Sequence, residues 1–542
     1  MKRVVCLLVS AFLTSGGVLF AQGELDAFRY SQPGFNGTAR YLSMGGAFGA
    51  LGGDISVMNT NPGGLGIYRS SEVVTSISLS SFKTNTDWKH TSENASKTRF
   101  NFDNIAYVGY FPTGNDEGLV SWNVGFSYSR QQNFERNYRM RGGQSFSLAD
   151  YAAAKASYVG QDKDGGWYGI AQKDMPLGES GASSAYQNLM GLWIPALAYQ
   201  GGLIGAYSDK AEADLYHSAF GEWTVDNWLN YSPSEVMVDV HEKGAIDNYN
   251  LSFATNFSNI LFVGATISVT DLNYEIMSKY DEFFGGEDHL YWDSWKTTDG
   301  TGYSLDIGAI VRPTDFLRLG VAYNSPTWYK MTDYYGGEAG SNIEGLGKMS
   351  GKTPAGVYTD YKLRTPDRWI LSAAGIIGQV GLISVDYEIS SYKSMKLSDP
   401  NGYEYNDNEL IKDDFGVSHA IKVGAEVKVT PQFAIRAGGG WQGTPMKKSF
   451  REGELQVYPA GLVPNYTLYK GTTHYSVGLG YRFTPHFYAD LACIYSEQKD
   501  DAYAFSKVTV EDDKGMHTLV ESSPASLKLK TTRVALTLGY KF

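Results

Sequence analysis

The chain has 542 residues, 46 Lys and Arg against 58 Asp and Glu, 62 Gly and 14% aromatic residues, and its mean hydropathy is -0.28. A formal charge of -12 argues against a nucleic-acid partner. Beyond the N-terminus no stretch reaches the ~18 apolar residues of a spanning helix, so any membrane passage must be made by strands.

Met1 to Ala21 reads as a signal peptide: Lys2 and Arg3 are followed by the apolar run Val4–Phe20, and Ala21 precedes Gln22 at a plausible cut. Its removal would leave 44 basic against 58 acidic residues, a balance of -14, and Cys493 as the one remaining thiol, so no internal disulfide is expected. Residues 22–70 do not read as strand. They carry the Gly-rich run Tyr41–Asp54, with Gly45, Gly46 and Gly49, and then Asn61-Pro62-Gly63-Gly64-Leu65. The glycines allow tight turns and close packing, and Pro62 pushes Asn61 out of the helical region. A phosphate loop would need a buried strand before it, a helix after it and a Lys or acidic partner, none of which is present. A compact plug is the expected structure.

Residues 71–542 read as strands of period two. Val534, Leu536, Leu538, Tyr540 and Phe542 share one face, while Arg533, Thr537 and Lys541 share the other. About fourteen segments of roughly ten residues repeat this pattern. They lie near 71–81, 101–112, 119–131, 246–258, 260–272, 301–312, 315–328, 366–377, 379–391, 416–429, 432–441, 473–483, 487–497 and 529–542. Short turns alternate with long polar connections, and no fixed period marks propeller blades. The expected fold is all-β: a transmembrane antiparallel β-barrel closed around the plug. On its polar face Lys422, Glu426 and Arg436 are candidates for a network bracing the plug, or simply solvated lumen wall. Terminal Phe542, behind alternating apolar residues, is similar to the signal that outer-membrane proteins present to the barrel-assembly machinery.

The connection 132–245 is too long to be an idle loop. Two helical pieces are expected in it: Ser145–Ser157, capped by Ser147 with Asp150 three residues on, and the apolar Ser184–Ala206, interrupted at Pro195. Leu189, Met190, Trp193, Ile194 and Leu197 are candidates for a groove that takes a greasy ligand, and equally for a small packed loop core.

Arg40–Gly53 followed by Asn61-Pro62-Gly63-Gly64-Leu65 resembles the N-terminal hatch of FadL/TodX-type outer-membrane transport proteins, with Gly63 where the family usually has Ala. Tyr68–Glu72 resembles the Bacteroidetes-like branch of that family. The resemblance implies a fourteen-stranded barrel, capture of hydrophobic ligands by helices in outer loops, and passage through the hatch to a sideways opening near a distorted strand. It implies passive uptake of long-chain fatty acids or aromatic hydrocarbons, with outer-membrane lipid and the ligand as partners. No cofactor, metal or catalytic constellation is expected, since no HExxH, CxxC or GxSxG spacing occurs. Two rival readings are a haemin-binding surface receptor and a structural or adhesive antigen with a sealed barrel.

Overall fold

The computed structural model describes residues 23–161, 166–175, 193–224, 228–378, 380–459, 461–512 and 515–542. Its 14 barrel strands all pair antiparallel. They are β1 Glu72–Trp88, β2 Thr91–Pro112, β3 Leu119–Asn133 continued by Arg136–Gly142, β4 Glu235–Phe257, β5 Leu261–Gly285, β6 Asp288–Thr314, β7 Leu317–Asn324 continued by Trp328–Ile343, and β8 Tyr358–Arg364 continued by Arg368–Ile377. The remainder are β9 Gly381–Ser391, β10 Val417–Lys428, β11 Phe433–Gly443, β12 Tyr466–Arg482, β13 Phe487–Tyr503 and β14 Ala525–Lys541. The last strand closes onto the first, from Glu72 opposite Lys541 to Asp87 opposite Ser526. No helix among the described residues is long and apolar enough to cross a membrane.

Burial runs opposite to that of a water-soluble sandwich. On β1 the polar Ser76, Ser78 and Ser80 are buried while Val73 and Leu79 are exposed. On β4 Asn250, Ser252 and Asn256 are buried while Tyr249, Leu251 and Phe253 are exposed. An apolar outer band about 25 Å tall is what a lipid-embedded barrel presents. The tight β4–β5 turn is built on two consecutive left-handed residues, Ser258 and Asn259, the geometry that suits twisted hairpins.

The strands are longer than the period-two reading predicts, reaching 27 residues in β6. The reason is visible in β5. Leu261, Val263, Ile267 and Val269 are outward and exposed, but past Asp271 the apolar parity switches, and Leu272, Tyr274, Ile276 and Tyr280 are buried inside. Below the switch lipid solvates the outer face. Above it water does, so the apolar residues turn inward and form a core. The long connection therefore starts later and ends earlier than expected, because β3 runs to Gly142 and β4 begins at Glu235.

The N-terminal segment contributes helices α1 Glu24–Ser31 and α2 Ala39–Ser43. In the long connection α3, Leu148–Ser157, has the expected cap: Ser147 and Asp150 form a reciprocal capping box, and Glu282 of β5 accepts from the Leu148 amide at 2.9 Å. Helix α4, Trp193–Gln200, carries Pro195 in the first turn of its described part, and the rest of the expected segment before Trp193 lies outside the described residues. Helix α5, Asp407–Asp414, packs against α1. Phe28 of α1 stacks on Phe415 at 5.4 Å, and these contacts roof the loop end of the barrel.

That roof contains a pH-sensitive joint. Burial, then the neighbouring Asp414 and Asp407, push the Glu24 carboxyl well above its ordinary 4.5, and burial raises Asp407 from 3.8 to about 7. Both groups favour the neutral form when docked. Their contribution to docking is complete below about pH 4 and is lost as pH rises towards 7. Amide exchange in 397–415, corrected for intrinsic rates, should be at least about tenfold faster at pH 8 than at pH 5. Glu24→Gln should blunt the difference; equal protection at both pH values would refute the joint.

Candidate functional site

The N-terminal segment lies in the lumen, where a chain with little regular structure must still satisfy its backbone groups. The wall supplies many of the partners. Arg318 donates to Leu51 O at 2.7 Å, Arg368 to Asn59 O at 3.0 Å, Arg533 to Phe35 O at 3.1 Å and Asn123 to Leu65 O at 2.6 Å. The Gly49 amide donates to Asp386 at 2.8 Å, and the Ala39 amide to Thr537 at 2.7 Å.

The motif residues fit two glycine sockets in the wall. In the first, Gly264 of β5 faces Gly308 of β6. A Cβ on Gly308 would lie 2.0 Å from Asn61 Oδ1, and one on Gly264 would lie 2.4 Å from Pro62 O. Asn61 accepts from the Gly63 amide at 3.1 Å and donates to Gly49 O at 2.6 Å, so it caps one turn and ties it to the other half of the motif. In the second socket Gly424 of β10 faces Gly438 of β11. A Cβ on either would meet the backbone of Met44 at 2.4 Å or less. Gly45 and Gly46 turn there with φ of 63° and 78°. The wall glycines escape a motif search, although their inward parity on neighbouring strands is a signal in the sequence.

The structure brings Glu426 and Arg436 together: Arg436 Nε lies 2.7 Å from Glu426, and Arg40 of the lumenal segment lies 3.2 Å from the same carboxylate. Arg436 also reaches Asp490 at 2.5 Å. Lys422 belongs to a separate pair with Glu388, at 2.5 Å, with Arg368 of β8 at 3.6 Å. Of the loop candidates, Leu189 and Met190 lie outside the described residues. Trp193, Ile194 and Leu197 are buried, and Trp193 meets Tyr335 of β7 edge-on at 5.4 Å.

Beside the segment is a chamber of about 200 Å³, lined by Pro33, Phe35, Gln131, Ile494 and Leu529 among others, with polar groups from His474, Lys422 and Arg533. Phe35 stacks on His474 at 4.0 Å. Arg533 has no ion pair among the described residues and bonds only neutral oxygens, including Ser80 at 3.2 Å. The chamber adjoins an irregular part of the wall. Ladder pairing of β2 with β3 stops at Asn104 opposite Ser129. Gln131 is an unpaired bulge against β4, and β3 breaks at Phe134-Glu135. Gly34 packs so closely on this bulge that a Cβ would lie 1.7 Å from Gln131 O. Above the last ladder pair, side chains rather than backbone bridge β2 and β3: Lys97 and Arg99 reach Glu135 at 2.9 and 2.5 Å, and Asn133 donates to Asn101 at 3.1 Å.

A closed barrel, greasy outside, polar inside and filled by its own N-terminal segment, defines a plugged β-barrel of the bacterial outer membrane. The family described as outer membrane protein transport protein (OMPP1/FadL/TodX) matches residues 293–542, from β6 to the C-terminus. No curated protein matches in sequence. Similar solved structures include a Pseudomonas aeruginosa FadL homologue, at 13% identity over 94% of this chain and 99% of that one, with a TM-score of 0.48. Others are the Ralstonia pickettii toluene transporter TbuX (12%, 94% and 98%, TM-score 0.47) and the P. putida toluene transporter TodX (11%, 94% and 99%, TM-score 0.46).

Proposed function

We propose that this protein is a channel for passive uptake of hydrophobic small molecules such as aromatic hydrocarbons or fatty acids. The ligand pauses in the chamber beside Phe35 and leaves sideways between β2 and β3. The observation that carries this reading is that the chamber abuts the stretch where those strands lose their ladder. No nucleotide is needed, because partitioning out of water drives the transfer. A volume of about 200 Å³ suits a single-ring compound, given that benzene fills an engineered cavity of about 150 Å³. Longer chains would have to extend into the adjoining spaces of about 90 and 100 Å³. Phe35, Ile494 and Leu529 offer apolar contact, and Arg533 offers a cation to a ligand with a polar end. Residues 22–70 act as the hatch, held by Gly45, Gly46, Gly49, Asn61, Pro62 and Gly63. The burial of Trp193, Ile194 and Leu197 supports a packing role for α4 in the roof over one of direct ligand capture. The signal peptide is removed near Ala21, and Phe542 presents the strand end to the assembly machinery.

A cross-link across the wall tests the route. In a Cys493→Ser background, Asn101→Cys and Asn133→Cys place thiols on the two strands, and a short cleavable bifunctional thiol reagent joins them. Uptake of radiolabelled toluene and oleate by cells should fall to that of a deletion strain and return when the linker is cleaved. Unchanged uptake in the joined barrel would remove the sideways route, and unchanged uptake in the deletion strain would remove the transport reading.

A further inference from the structure

Four lysines stand together on the outer face of β13, β14 and β1. Lys83 is directly opposite Lys530, and Lys499 is directly opposite Lys528. Like charges facing each other across a ladder destabilise it, and here two such pairs are adjacent, because Lys528 and Lys530 are successive outward positions of one strand. Glu497 is the one acid within the patch, lying 3.6 Å from Lys499 and opposite Lys530. Among the described residues Lys83, Lys528 and Lys530 have no ion pair, and the nearby Asp501 is taken by Lys470. The patch is therefore a concentrated positive charge with no protein partner for most of it.

Its height on the barrel is fixed by the outward residues below it. On β14 these are Phe542, Tyr540, Leu538 and Val534, on β13 Phe487, Leu491 and Tyr495, and on β1 Val73 and Leu79, all exposed. Just above them the apolar parity switches inward, to Phe82 and Leu527. The lysines are thus among the first charges above the lipid-facing band, at the level of lipid head groups on the long-loop side. They are not part of a uniform basic ring, because the outward positions just above the band on β5 and β6 carry Asp271 and Asp299.

We propose that this face of β13, β14 and β1 binds the phosphate of an outer-leaflet lipid head group. A phosphate between two ammonium groups replaces their repulsion with charge-assisted hydrogen bonds. The lysine stems lie along the apolar wall while their heads reach the lipid surface.

The probe is bis-phosphorylated lipid A, compared with the same lipid stripped of phosphate and with inorganic phosphate alone. Each is added to the full-length barrel in non-ionic detergent, and retention is read by native mass spectrometry. The wild type should retain lipid A, and should retain the stripped lipid about tenfold less or worse. The Lys83→Gln/Lys499→Gln/Lys528→Gln/Lys530→Gln variant should lose retention to the same degree. Lipid A should also raise the unfolding temperature of the wild type. In lipid-free detergent the variant should unfold no earlier than the wild type, because repulsion has been removed. Equal retention by the variant, or of the stripped lipid, overturns the proposal. Displacement of lipid A by an equimolar amount of inorganic phosphate assigns a simple anion site and also overturns it. A concentration-dependent dimer lost in the variant, without lipid retention, overturns it in favour of a second copy of the chain. If the variant does not fold, the Lys83→Gln/Lys530→Gln pair and the wild-type comparison of the two lipids decide the question.

Discussion

Glu426→Ala should destabilise the barrel by about 3–5 kcal/mol, the range for removing one partner from a buried ion network. Glu426 is held between Arg40 and Arg436, and Arg436 continues to Asp490. The four charges cancel, so removing the carboxylate leaves one net positive charge. The side chains of Glu426 and Arg436 are only 5% and 7% exposed, so water screens them little. Arg40 is 23% exposed and borders a space of about 190 Å³ at the turn end, which moves the expectation to the lower half of the range. Glu426→Gln, which keeps an acceptor but loses the charge, should fall between the two proteins. Urea unfolding followed by tryptophan fluorescence in detergent measures the loss. Because Arg40 belongs to the lumenal segment, the Ala variant should also admit large hydrophilic antibiotics that the wild type excludes. Unfolding midpoints within error of wild type would mean that this network is hydrated enough to be dispensable.

The lipid-facing half of each strand was legible, and the rest was not, for one physical reason. Alternation identifies a face, but which face is apolar depends on the solvent outside. Leu261 to Val269 alternate against lipid; Leu272 to Tyr280 alternate against a protein core. A search for one continuous parity stops at Asp271 and returns a strand of about ten residues where the structure has 25. The same switch, followed on β1, β13 and β14, marks the level of the lysine patch. The Gly-rich motif of the lumenal segment was legible as a motif, since Gly45 and Asn61 announce turns. Its partners were not, because Gly264, Gly308, Gly424 and Gly438 are ordinary strand glycines until register places them in facing pairs. Arg40 is not marked by any local pattern either. Its partner Glu426 lies 386 residues away, and only barrel closure brings them together.

Gly438→Val should undock the lumenal segment while leaving the strand intact. Gly438 has ordinary extended backbone in β11, where valine is a better strand former than glycine, so the substitution carries no local penalty. The conflict is confined to the lumen. A Cβ at this position would lie 2.2 Å from Met44 C and 2.3 Å from Gly45 N, both backbone atoms that cannot rotate away. Gly45 itself has no other conformation to offer, because it already turns with φ of 63° between the Gly424/Gly438 socket and the Ser476 hydroxyl, which its amide meets at 3.2 Å. Overpacking of this kind costs roughly 1–3 kcal/mol, which shifts a docked–undocked equilibrium by about 5–150-fold. In planar bilayers the variant should show single-channel openings that the wild type lacks, and Arg40 should become a trypsin site in the folded barrel. Gly375→Val, at an outward-facing strand glycine with open space around it, is the control for an effect on the strand itself and should stay closed. If the Gly438 variant stayed closed too, the two-socket account of how the lumenal segment is seated would fail. If both opened, the effect would belong to the strands and not to the seat of Met44 and Gly45.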